Sequence, residues 1–89
     1  MGTAGIKIKI MPLSPEINLE EIKEKAKIMI EEKGGKNCRF EEEAIAFGLK
    51  AIITIFEIPE EQEVEEIENK LEEIKNVNSA QIIDMRRLL

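Results

Sequence analysis

The chain has 89 residues, of which 43% are apolar and 36% charged, and its net charge is −6. That size predicts one domain, residues 1–89, with a single modest core, and the balance excludes both a disordered and a membrane-spanning chain. The negative charge argues against direct binding of nucleic acid, because phosphate contacts draw on clustered Lys and Arg.

Residues 5–11, GIKIKIM, alternate: Ile6, Ile8 and Ile10 face one way, Lys7 and Lys9 the other, as in a half-buried strand. Pro12 stops that strand, and LSP at 13–15 gives a rigid exit. Asn18 followed by Glu21 makes a capping-box pattern with Asn18 at the N-cap. Behind it, Leu19, Ile22, Ala26, Met29 and Ile30 recur at three- and four-residue steps, which predicts a helix burying one stripe. Gly34-Gly35 closes the helix, since glycine takes the left-handed cap conformation without penalty.

Residues 36–46 form a weaker strand. Cys38 and Phe40 alternate with charged neighbours before three glutamates interrupt, the pattern of a charge-guarded edge. Residues 49–58 are the strongest strand: Leu49, Ala51, Ile53 and Ile55 make one face, and Lys50, Ile52, Thr54 and Phe56 the other. A strand apolar on both faces belongs in the middle of a sheet. Pro59 ends it, and a second helix is expected over about 60–75, with Val64, Ile67, Leu71 and Ile74 inward and Glu66 paired to Lys70. In the closing NVNSAQIIDMRRLL, Ala80 and Ile82 point one way and Ile83 and Met85 the other. Asp84 breaks the alternation, which predicts a bulge or an edge position.

The order strand–helix–strand–strand–helix–strand predicts a ferredoxin-like α+β sandwich: a four-stranded antiparallel sheet in order 4-1-3-2, with both helices on one face. The open face is then expected to show Lys7, Lys9, Lys50 and Thr54, a wet and mildly basic surface. The topology puts the Ala46-Phe47-Gly48 turn beside Met11-Pro12 at one end of the sheet. Arg86-Arg87 fall at the other end, roughly 25–30 Å away. No single small-molecule pocket uses both ends, whereas a protein laid along the sheet does.

With no His and one Cys, neither a catalytic triad nor an ordinary zinc site can be assembled, and Gly34-Gly35 lacks the frame of a phosphate loop. No covalent chemistry, cofactor or metal is expected. A lone cysteine and the absence of a visible signal peptide suit the cytoplasm. Phe47 is either a plug for the core or an anchor held out to a partner, and Gly48 either a turn residue or part of that anchor. Met11 either caps the core or joins the contact.

At this point three stretches resemble one family: IKIMPLSPE at 8–16, EAIAFGLKA at 43–51 and DMRRLL at 84–89 are similar to the archaeal translation elongation factor 1-beta family, the guanine-nucleotide exchange factors of elongation factor 1-alpha. The resemblance implies binding to the GDP form of that GTPase, distortion of its Mg²⁺ and phosphate site, and release of GDP, by a monomer. It implies a partner contact from Phe47 in its glycine turn, and a cation, Arg86 or Arg87, sent to the metal site where eukaryotic relatives use lysine. Gly48, Met11 and Pro12, at the same end of the sheet as Phe47, are expected to join the partner contact. The acidic run 41–43 gives the hairpin a negative approach. The competing readings are a ligand-binding regulatory domain of the ACT type and, last, an RNA-binding sheet, which needs open-face aromatics where only Phe56 is available.

Overall fold

A computed structural model describes residues 2–88. Its elements are β1 (Thr3–Pro12), α1 (Leu19–Glu32), β2 (Lys36–Ala44), β3 (Lys50–Pro59), α2 (Val64–Glu72) and β4 (Val77–Leu88), in a sheet ordered β2-β3-β1-β4. This is the expected ferredoxin-like arrangement, all neighbours antiparallel, with β1 and β3 central.

The alternation of β1 sets the layers. Ile6, Ile8 and Ile10 are fully buried and meet Ile22, Ala26 and Ile30 of α1 and Val64, Ile67 and Leu71 of α2 in one core. Removing one such isoleucine or leucine side chain typically costs about 2–5 kcal/mol. Asn18 caps α1 as expected, accepting from the Glu20 backbone N–H at 3.0 Å. At the other end Gly34 (φ 92°) donates to Glu31 O and Gly35 donates to Ile30 O at 2.8 Å, a Schellman closure. A Cβ on Gly35 would lie 2.2 Å from Ile30 Cγ2, so that position tolerates no side chain.

Pairing with β1 corrects the reading of β3. Ile6 opposes Phe56, Ile8 opposes Thr54 and Ile10 opposes Ile52, so these β3 residues face the helices. Thr54 and Phe56 are buried there, and the open face of β3 carries Ala51, Ile53 and Ile55 instead. The expected basic face therefore keeps Lys7 and Lys9 but loses Thr54 to the core and has an apolar centre. Lys50, in phase with Ile52 and Thr54, also leaves the open face: it is exposed at the strand's start on the helix side, 4.0 Å from Glu42. Period-two alternation cannot choose between two apolar faces; only the partner strand does. Burying Phe56 also removes the aromatic that the RNA-binding reading required.

Three local expectations change as well. α2 begins at Val64, about four residues later than its periodicity suggests, leaving Glu60–Glu63 as a loop. Glu66 pairs with Lys33, the C-cap residue just past α1, at 2.9 Å rather than with Lys70, so the charge that was expected to support one helix ties its start to the end of the other. In β4 the bulge is present, the register shifting so that Ile82 opposes Ile8 and Asp84 opposes Lys7. The extra residue, Ile83, reverses the phase beyond it. Met85 opposes Ile6 and so joins Ile82 on the helix side, not the opposite face.

Candidate functional site

The two ends of the sheet are built differently. At the first, a hydrogen-bonded pair closes the β2–β3 hairpin: Ile45 N–H donates to Leu49 O at 2.7 Å and Leu49 N–H donates to Ala46 O at 3.2 Å. Within that clamp Phe47 adopts φ 62°, ψ 33° and Gly48 φ 77°, both left-handed. The conformation is free for glycine, but it costs a bulky side chain about 1–2 kcal/mol. Phe47 is nevertheless 97% exposed, so no burial of its ring offsets the strain. The plug reading is excluded, and a strained exposed aromatic is the kind of outlier that points to function.

Pro12 lies at the same end, sharing a shallow hollow of about 220 Å³ with Pro15, Ile17, Gly48 and Lys50. Pro12 is buried and Met11 half-buried on the open face, so Met11 contributes a rim rather than a protruding contact. Leu13, which the periodicity gave no reason to select, is 59% exposed just beyond Pro12. The acidic run is less available than its sequence suggests. Glu42 accepts from Lys23 Nζ at 2.8 Å and lies 4.0 Å from Lys50, and Glu43 pairs with Lys9 at 3.1 Å. Lys23 holds the Glu42 carboxyl below its ordinary range, and Glu42 in turn raises the Lys23 ammonium.

At the other end, Arg86 opposes Gly5 and Arg87 opposes Ala4, so successive arginines leave opposite faces of the sheet. Gly5 and Met11 are six steps apart along β1, about 20 Å of strand, so the two groups stay far apart. Arg86 Nε meets Asp84 Oδ2 at 3.0 Å on the open face; Arg87 Nε pairs with Glu60 on the helix face. Both arginine side chains remain more than three-quarters exposed. A groove flanks the strand on each side. The open-face groove, about 610 Å³, lies over Gly5, Lys7, Arg39 and Arg86; the helix-side groove, about 590 Å³, over Ala4, Ile58, Val64, Met85 and Arg87. Met85 is 58% exposed into the second.

The two halves of β4 also differ along its free edge. The Ile82 backbone N–H donates to Glu68 Oε2 at 2.8 Å and that of Ala80 to Glu72 Oε2 at 3.4 Å, so α2 occupies the inner half. Cys38 offers no nucleophile. Burial pushes its thiol up to about 11, helped by nearby Glu31, and it remains protonated at neutral pH. Among the described residues no cluster of three metal-ligating side chains occurs. No helix of the described residues is long and apolar enough to cross a membrane.

Residues 5–88 match the family described as the EF-1 guanine nucleotide exchange domain. Elongation factor 1-beta of Methanocaldococcus jannaschii is 44% identical over 86 residues, 96% of this chain and 97% of that protein. Elongation factor 1-beta of Methanosarcina acetivorans is 40% identical over 89 residues, 99% of this chain and all of that protein. The same factor of Pyrococcus abyssi is 39% identical over 84 residues, 91% of this chain and 90% of that protein. The chain belongs to the EF-1 guanine nucleotide exchange domain family, among its archaeal elongation factor 1-beta members.

Proposed function

We propose that the protein promotes exchange of GDP for GTP on elongation factor 1-alpha during protein synthesis, binding the GDP form and performing no covalent chemistry. It acts in the cytoplasm as a monomer: side-by-side pairing of sheets, as an ACT-type domain uses, needs an edge strand, and Glu68 and Glu72 occupy the inner half of β4 while three consecutive glutamates guard β2. The observation that carries the reading is Phe47, an almost wholly exposed aromatic held in a left-handed turn whose strain no burial of the ring offsets.

The mechanism follows from the two ends. Phe47, with Gly48, Met11 and Pro12 around it, anchors the factor in an apolar recess of the GTPase, since aromatics in desolvated pockets dominate interface energy. The hairpin clamp fixes the backbone beneath the ring before contact, so docking orders only the side chain there. With that end fixed, β4 delivers Arg86 and Arg87 at the opposite end of the sheet. A guanidinium reaching the oxygens that hold the GTPase's Mg²⁺ and the GDP phosphates competes with the metal for the same acceptors. Its planar fork grips two of them in one fixed geometry, where a lysine offers a compact point charge with rotatable donors. Metal and nucleotide are thereby loosened, and abundant GTP refills the site.

The test is release of labelled GDP from an archaeal elongation factor 1-alpha, with this protein well below one equivalent. Many GDP molecules released per molecule of factor is the expected result. Release limited to the amount of factor added, or no acceleration, contradicts the reading.

A further inference from the structure

Glu60 sits where three independent features meet. Its backbone N–H donates to Gly2 O at 3.0 Å, which pins the start of the β3–α2 loop to the beginning of β1. Its carboxylate fills the space left by a missing side chain: a Cβ on Gly2 would lie 2.6 Å from Glu60 Oε1. From that seat the other oxygen, Oε2, accepts from Arg87 Nε. The glutamate side chain is 30% exposed and the arginine 79%, so the anion is the fixed, partly enclosed partner and the cation the mobile, solvated one. Arg86 has a different relation to its partner, Asp84, two residues away on the same strand, which travels with it. Glu60 belongs to another segment, 27 residues distant.

We propose that Glu60 is an internal stand-in for the acceptor that Arg87 meets on the GTPase: in the unbound factor it holds the guanidinium along the helix-side groove, and it must release Arg87 for exchange to proceed. This rests on the reading of Arg87 given above. A carboxylate satisfies the same donors as a phosphate or a metal-binding carboxylate, so the Arg87 side chain is kept near the mouth of the groove rather than wandering. The same attraction opposes its transfer. Because the pair is solvent-exposed, the opposition is modest and screened by salt.

The experiment measures GDP release at sub-saturating factor for the wild type, Glu60→Gln, Arg87→Gln and the double variant, each checked by thermal unfolding. Gln keeps the shape and the backbone anchor and removes only the charge. Glu60→Gln is expected to speed release about two- to fivefold at low ionic strength, and that advantage is expected to vanish by about 0.5 M salt. Arg87→Gln is expected to slow release, and the double variant to match Arg87→Gln alone. If Arg87→Gln slows release but Glu60→Gln does not speed it, or speeds it equally without Arg87, the role of Glu60 is overturned while that of Arg87 stands. If Arg87→Gln changes nothing, both fail. Should Glu60→Gln lower the unfolding temperature, release is compared at a temperature where every variant is fully folded: faster release by Glu60→Gln there, dependent on Arg87, supports the stand-in role, and release no faster than the wild type overturns it.

Discussion

The hairpin end and the arginine end of the sheet spend conformational freedom in opposite ways. Phe47 is fixed by its backbone, clamped between two hydrogen bonds in a conformation its side chain resists, and its ring touches almost nothing. Arg86 and Arg87 sit on ordinary extended backbone, and their heads are parked on internal carboxylates. The contrast teaches a division of labour. A rigid apolar anchor gains from being pre-positioned, because burial is non-directional and the main cost of docking is ordering. A cation that has to reach another protein's charges gains from a long flexible stem and a provisional partner that keeps it from straying.

The largest expected effect breaks the hairpin end. Phe47→Ala should weaken binding to the GTPase by about 2 kcal/mol or more, roughly thirtyfold in dissociation constant, while unfolding in urea stays within about 0.5 kcal/mol of the wild type. Phe47→Gly should lose the same affinity yet raise stability by up to about 1 kcal/mol, because only the non-glycine residue pays for the left-handed turn. A variant that binds normally, or one that unfolds, removes the anchor from the account.

A smaller effect sharpens the comparison by touching the strand that joins core to arginines without touching either end. Glu68→Ala leaves the Ile82 amide without its acceptor and should lower stability by about 1–2 kcal/mol. Hydrogen exchange at that amide should accelerate while the Phe47 hairpin is unchanged. If exchange at Ile82 stays slow, α2 is not what closes the inner half of the β4 edge.

Much of this was legible in the residues. The Ile-Lys alternation of β1, the Asn18 cap, the double glycine after α1 and the break at Asp84 each have a local cause, and each appears where its local chemistry requires. What could not be read depends on partners distant in sequence. The facing of Thr54 and Phe56 is decided by β1, the phase of Met85 by the bulge against Lys7 and Ile8, and the partner of Glu66 by a lysine at the end of the other helix. Phe47 and Gly48 could be singled out as a junction, but nothing local distinguished a plug from an anchor. The left-handed backbone of Phe47 had no signal either, because that role ordinarily falls to the neighbouring glycine. Glu60 was hidden among the glutamates before α2, and its seat over Gly2 shows only in three dimensions.

The central claim is that one end of the sheet holds the GTPase and the other acts on its nucleotide. The most direct measurement is GDP release across a range of factor concentrations for the wild type, Phe47→Ala and the Arg86→Ala/Arg87→Ala pair. The account predicts that Phe47→Ala needs far more factor to reach a near-normal maximal rate, whereas the arginine pair saturates near the wild-type concentration at a much lower maximum. Equal shifts in both quantities for both variants would contradict it.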